Sequence, residues 1–258
     1  MSRLGIFVYG LICYAVALVV FTYAMGFIGG FFTPTTLDGP PNLPLAAALV
    51  IDIGLIVVFS LQHSIMARSG FKRWWTHIVP EAAERSTYVL ASSLALGALF
   101  VLWEPIGGVV WQLPDGAARR AVIGLYIFGW ALLFFTTFLI DHFDLFGLKQ
   151  VWRRLTGKQY RSPRFFTPSL YKLVRHPLYI GWLTIFWAAP TMTVSHLLFA
   201  LLTSVYILVA IRFEENDLVD AFGADYITYR ERTPMLVPRL ANPKQAGLAG
   251  KSQARARG

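Results

Sequence analysis

With one cysteine among its 258 residues, Cys13, the chain has nothing to pair with internally. It also lacks any C-x-x-C or H-E-x-x-H, so disulfide scaffolds and the common zinc motifs are excluded. Neither G-x-G-x-x-G nor a Walker A pattern is present, which removes the soluble dinucleotide- and nucleotide-binding readings. Charge is scarce: Asp, Glu, Lys and Arg make up 14% of the residues, against about 25% in ordinary soluble domains. Hydrophobic residues reach 56%, and the mean hydropathy is +0.54. Acidic residues are the scarcer sign, 14 against 23 Lys and Arg, for a net charge of +9. That excess does not point to nucleic acid, because 16 of the 23 cations follow residue 145 and cluster beside apolar runs, as cytoplasmic loops do under the positive-inside tendency.

These limits leave an all-α, polytopic integral membrane protein, with membrane lipid as its surroundings. A single domain is expected over residues 1–240, followed by a disordered, dispensable basic tail at 241–258 that rests near anionic headgroups. The first apolar run is too long for a signal-peptide core and has no A-x-A-like cleavage site, so residues 5–27 read as the first membrane helix. Phe31 to Pro44 holds four prolines, Asp38 and no cation, hence an exterior loop. A second helix covers residues 45–66, with Asp52 in its apolar interior, a candidate for function or for a bond to a neighbouring helix. It ends in Gln62-His63-Ser64-Ile65-Met66-Ala67-Arg68, and a cationic loop with Trp74 and Trp75 marks the inner face. Pro80, Glu81 and Glu84 open a third helix that puts Arg85 and Tyr88 on one face at the inner side. A fourth helix, residues 121–140, leads to Asp141-His142-Phe143-Asp144 and a basic inner loop.

The apolar run from Leu178 to Ile211 exceeds the roughly 20 residues that one crossing takes. Pro190 breaks it, and Thr191, Thr193 and Ser195 can cap the next helix, which predicts a helical hairpin over 172–189 and 194–215. The architecture expected is therefore four helices plus a C-terminal hairpin, six crossings in all, with both termini cytoplasmic and the bacterial inner membrane as the location. Arg119 and Arg120 alone oppose that topology. The hairpin brings Arg175, His176, Pro177 and Tyr179 against Glu214 and Glu215 at one mouth, where a charged cofactor enters from water and an apolar partner from lipid.

R-H-P-x-Y (Arg175–Tyr179), E-E-x-x-L from Glu214, F-G-x-x-Y-x-x-Y (Phe222 to Tyr229) and V-P-R (Val237–Arg239) succeed one another around the hairpin. This order resembles the C-terminal half of the isoprenylcysteine carboxyl methyltransferase superfamily. Q-H-S-x-M-A-R, E-R-S-x-Y and F-D-L-F-G-L-x-Q resemble one branch of it, the methanethiol S-methyltransferases and the related NnrU-like membrane proteins. The resemblance implies S-adenosylmethionine as cofactor, with His176 holding it. Glu214 and Glu215 are candidates for its amino or ribose groups, Arg175 or Arg230 for its carboxylate, and Tyr179, Tyr226 and Tyr229 for adenine, with Pro177 within the same motif.

A small thiol acceptor must lose its proton, because the thiolate is the nucleophile. Candidates for that task near the inner face are His63, assisted by Gln62 or Asp141, and His142. Arg85, Tyr88, Ser64 and Phe143 are expected around the acceptor, with Phe138 as a further wall; methanethiol giving dimethyl sulfide is the expected reaction. No metal is called for. The competing readings are a prenylcysteine or phospholipid methyltransferase and a non-catalytic NnrU-like protein of denitrification. A sterol-reductase relative would share Arg175, His176, Tyr179 and Gly181, but the Glu pair favours a methyl donor. A haem protein would need axial histidines among His63, His142, His176 and His196, and no two of them sit at matching depths. Oligomeric state is not encoded legibly.

Overall fold

The structure is a computed structural model, and it describes residues 2–161 and 165–238. Arg239 and the tail expected to be disordered lie outside the described residues. In chain order the elements are α1 (Arg3–Gly29), α2 (Leu45–Ala67), α3 (Ser69–Trp75), α4 (Glu81–Leu102), β1 (Val109–Gln112), α5 (Ala117–Leu139), α6 (His142–Leu145) and α7 (Leu148–Leu155). A 3-10 turn (Ser169–Lys172), α8 (Pro177–Trp187), β2 (Thr191–Thr193), α9 (Val194–Phe222) and α10 (Ala224–Arg232) complete the order.

Local chemistry sets these boundaries. Ser2 accepts a hydrogen bond from the Gly5 amide at 3.0 Å and opens α1, and Gly30, at a φ of 73°, closes it in the left-handed conformation that glycine tolerates. Pro177 starts α8, where its missing N–H costs nothing. Thr193 caps α9 by accepting from the His196 amide at 3.1 Å. The cationic loop after α2 is a short helix, α3, and the inner loop after α5 folds into α6 and α7.

Among the described residues five helices, α1, α2, α4, α5 and α9, are long and apolar enough to cross a membrane. The chain is an integral membrane protein. The first leg of the hairpin is shorter than the 172–189 expected: α8 has 11 residues, a rise of about 16 Å, roughly half of a bilayer core. Non-helical backbone flanks it at both ends, following the 3-10 turn before it and leading into β2 after it. Such backbone survives at membrane depth only when its polar groups are satisfied within the protein. At one end Arg175 N donates to Pro234 O at 2.9 Å and His176 N to Met235 O at 3.2 Å. At the other, β2 pairs antiparallel with β1, and Leu113 N donates to Pro190 O at 2.9 Å.

The loop before α5 is thus half of a two-stranded sheet rather than a free exterior loop. More polar ties secure the same face. Asp38 accepts from Thr193 and lies 3.7 Å from His196 Nδ1, while Ser195 Oγ accepts from Ile106 N at 2.6 Å. Asp52 is fully buried and takes the Glu104 amide at 2.9 Å, just past the end of α4. Of the two roles open to Asp52, the bond to a neighbouring helix is the one formed.

α4 lies between α1 and α2, α8 lies between α5 and α9, and α2 meets α9. The α5–α8 contact is the closest. A Cβ on Gly181 would stand 3.0 Å from Leu133 N and 3.2 Å from Gly129 O, and one on Gly129 would stand 3.1 Å from Ile185 N. Small residues let membrane helices approach in this way. At the end of α5, α6 closes the bundle through His142, whose ring nitrogens lie 2.8 Å from Tyr14 OH and 2.8 Å from Thr137 Oγ1.

Gly181→Val is expected to lower the melting temperature in detergent, equivalent to about 1–3 kcal/mol of overpacking. Gly124→Ala, whose new Cβ meets nothing within 4 Å, should be neutral or slightly stabilising. A second expectation concerns acid. Burial lowers the His142 pKa from its ordinary 6.5, partly opposed by Asp141. The unfolded imidazole then binds a proton before the native one does, so stability present above about pH 6.5 is lost as pH falls below it. Melting curves across that range should be less steep in pH for His142→Gln than for the native chain.

Candidate active site

A cavity of about 480 Å³ opens between the α1/α2/α4 layer and the α5/α8/α9 layer. Its mouth is polar and its interior apolar. At the mouth stand His176, Tyr179, Tyr171, Glu214, Arg68 and Arg85.

The hairpin motif builds one wall. Glu215 accepts from Arg175 Nε at 2.7 Å and lies 3.0 Å from His176 Nε2, joining the start of α8 to α9. Arg175 also donates to Arg230 O at 3.0 Å and Thr233 O at 2.6 Å. With Arg175 and Glu215 both largely buried, at 12% and 13% side-chain exposure, this pair is a clamp and does not reach the cavity. Glu214 faces it instead: Tyr179 OH donates to Glu214 Oε2 at 2.9 Å, and His176 Nδ1 is 3.9 Å away.

The F-G-x-x-Y-x-x-Y segment does not line the cavity. Tyr226 and Tyr229 pack on Phe165 at ring separations of 5.9 and 5.5 Å, and Tyr229 OH donates to Tyr171 O. Burial pushes the Tyr229 phenol up to about 12. Of the nine residues expected to hold a cofactor, His176, Tyr179 and Glu214 line the cavity, whereas Arg175, Pro177, Glu215, Tyr226, Tyr229 and Arg230 support the wall behind it. An interfacial tyrosine reads alike in sequence whether it meets a ligand or a phenylalanine.

The opposite wall carries His63. Its Nε2 is 2.9 Å from Tyr88 OH, its Nδ1 is 3.1 Å from Ser92 Oγ, and Phe59 stacks on it at 5.4 Å. Gln62 donates to Ser92 Oγ at 3.3 Å, behind His63 rather than in the cavity. Arg85 donates to Leu145 O at 2.8 Å and holds its charge 5.0 Å from the Tyr88 ring. Ser64 Oγ is 3.3 Å from Tyr206 OH across the α2–α9 seam.

Four residues expected near the acceptor stand elsewhere. Asp141, with a φ of 88°, caps α6 at Asp144 N and pairs with Lys149, so it does not assist His63. Both nitrogens of His142 are engaged within the bundle, by Tyr14 and Thr137. Phe143 packs on Phe138, and both are more than half exposed on the outer surface, at 53% and 59%. The position after a helix end leaves side-chain direction open, which is why these aromatics were not separable by spacing.

Arg68 is the residue missed. It reads as a charge marking the inner face, yet it reaches the mouth, donating Nε–H to Ser64 O at 3.1 Å and pairing with Asp217 at 2.8 Å. Tyr206, a polar interruption of an apolar span, was findable by the expense of such a group at that depth. A second cavity, of about 910 Å³, is bordered by Lys72, Glu84, Arg85, Asp144, Arg154 and Lys158, which give it charges of both signs. Among the described residues no group of three His, Cys, Asp or Glu side chains is placed to hold a metal ion.

The smaller cavity combines a cationic and carboxylate mouth with an apolar interior bearing one hydroxyl-bound imidazole. Such a site suits transfer between a charged donor and an apolar acceptor. No family model matches the chain, and no solved structure does. Curated relatives do. The methanethiol S-methyltransferase of Crocosphaera subtropica is 49% identical over 92% of this chain and 93% of its own length. That of Mycobacterium tuberculosis is 46% identical over 92% of this chain and 98% of its own. Nurim of Bos taurus is 33% identical over 66% of this chain and 68% of its own. With nearly half its residues shared along almost its whole length, this integral membrane chain belongs to the methanethiol S-methyltransferase family.

Proposed function

We propose that the chain methylates methanethiol to dimethyl sulfide with S-adenosylmethionine as donor, in the bacterial inner membrane with both termini cytoplasmic. The observation that carries this reading is His63 between Tyr88 and Ser92 at the level where the polar mouth gives way to apolar wall. The names of the relatives support the choice of acceptor.

The mouth fits the donor's chemistry. Glu214, 44% exposed, offers acceptors to amino and hydroxyl groups, Arg68 offers a guanidinium to a carboxylate, and His176, Tyr179 and Tyr171 supply flat faces. Bound S-adenosylmethionine supplies a methyl group already activated by its sulfonium charge. The protein's remaining tasks are alignment and removal of one proton. No carboxylate touches His63 among the described residues. Its two ring nitrogens meet the hydroxyls of Tyr88 and Ser92. In the neutral imidazole one nitrogen carries a proton and the other is an acceptor, which takes the thiol proton where the thiol displaces the hydroxyl from it. Arg85 beside Tyr88 places positive charge where thiolate forms. Apolar walls keep water from competing with the small nucleophile. Arg68, Lys72 and Arg73 stand on the mouth side, consistent with a cytoplasmic entrance under the positive-inside tendency.

His63→Ala should lower the turnover of methanethiol about 100-fold or more at neutral pH while leaving donor affinity close to native. Raising the pH should recover part of the rate by supplying thiolate from solution. An unchanged rate, or labelled donor consumed by a prenylcysteine or phospholipid and not by methanethiol, would sink the reading. In calorimetry, Glu214→Ala and Arg68→Ala should each weaken donor binding roughly tenfold, about the loss of one charge-assisted hydrogen bond.

A further inference from the structure

The cavity extends well past the level of the proposed chemistry. Along α4 its lining continues from Tyr88 to Leu99 and Phe100, a further rise of about 16 Å. α1 contributes Ala24 and Ile28, and α8 and α9 contribute Phe186 and Phe199 at the same depth. These side chains are nearly all buried and apolar: Ala24 and Leu99 are 1% exposed, Phe100 2% and Phe199 3%. Thr203, a hydroxyl that α9 brings to this region, is spent on its own helix, donating to Phe199 O at 2.6 Å. Beyond Ser93, a hydroxyl on α4, the lining from Leu96 to Phe100 is apolar, so the donor's polar parts belong at the mouth and not here.

A one-carbon thiol, with two heavy atoms, needs only a small part of that space, about three times the roughly 30 Å³ that a water molecule takes in the liquid. We infer that the acceptor class is the linear alkanethiols beyond methanethiol, with the sulfur beside His63 and Tyr88 and the alkyl chain in the arm walled by Ala24, Leu96, Leu99 and Phe199. This rests on the methyl-transfer reading proposed above. The step balances as it does for methanethiol: the thiol proton goes to His63 and on to water, and the thiolate sulfur forms a bond to the methyl carbon. The sulfonium's S–CH3 bond breaks, and its electron pair stays on the donor sulfur, leaving a neutral thioether and an alkyl methyl sulfide.

The test uses the full chain reconstituted in lipid with S-adenosylmethionine and, separately, methanethiol, ethanethiol, propanethiol and butanethiol, with each alkyl methyl sulfide measured in the headspace. All four should be converted, and kcat/KM for butanethiol should exceed that for methanethiol about tenfold or more, given the free energy of burying each added methylene. Ala24→Phe and Leu96→Trp, which fill the arm from two different helices, should each lower the butanethiol-to-methanethiol ratio about tenfold, with methanethiol turnover retained. Conversion of methanethiol alone by the native chain overturns the inference and leaves the proposed function standing. So does a ratio that moves in neither variant when both are folded and active on methanethiol. Conversion of no thiol at all overturns the proposed function and this inference with it.

Discussion

Glu215 holds the polar end of the cavity wall together. One carboxylate on α9 takes the Arg175 guanidinium at 2.7 Å and lies 3.0 Å from the His176 ring, and Arg175 carries the connection on to the carbonyls of Arg230 and Thr233. That buried pair links the start of α8, the end of α9 and the turn after α10 through side chains, beside the main-chain bonds from Arg175 and His176 to Pro234 and Met235. A buried charge left unpaired is costly, so each partner enforces the position of the other. The arrangement fixes His176 and Tyr179 at the cavity rather than in the solvent. Binding groups face the cavity because a second set of charged groups behind them is already satisfied.

The cavity's two-sided character comes from how the helices associate. One layer, α1 with α4 and α2, brings His63, Tyr88 and Arg85; the other, α5 with α8 and α9, brings His176, Tyr179 and Glu214. The side chains proposed to meet donor and acceptor thus come from different halves of the sequence and face one another across the gap between the layers. α2 and α9 close that gap on one side, where Ser64 meets Tyr206 and Arg68 meets Asp217.

Much of this was legible in the residues. Apolar runs gave the spans, Pro190 gave the turn of the hairpin, and the R-H-P-x-Y and Glu-Glu elements proved to meet as their placement at one mouth required. His63 was recognisable as a polar group at a helix end, and it lines the cavity. Less legible was everything that depends on where extended backbone finds its partners. Neither the pairing of β1 with β2 nor the bonds from Arg175 and His176 to Pro234 and Met235 leaves a periodicity to read. That Arg175, Tyr226 and Tyr229 stand behind the cavity wall was hidden for a related reason. Charge and aromaticity announce that a side chain needs a partner, but not whether that partner is a ligand or the protein itself. Asp141 is the clearest case, a carboxylate next to the chemistry in sequence and spent on Lys149 and its own helix cap in space.

The contact between Gly129 and Gly181 has a consequence for heredity. The atoms that would collide with a new Cβ at Gly181 are main-chain atoms, Leu133 N and Gly129 O, and every residue type carries those atoms in the same place. A side chain that outgrows its neighbour can be accommodated by shrinking the neighbour, but here there is no neighbour to shrink. Suppressor substitutions on α5 therefore have nothing to offer a bulky residue at Gly181. Reversion to glycine, or displacement of one whole helix against the other, is the available repair. The α5–α8 pair is transmitted as one unit, and the wall of the cavity that carries His176 and Tyr179 is transmitted with it.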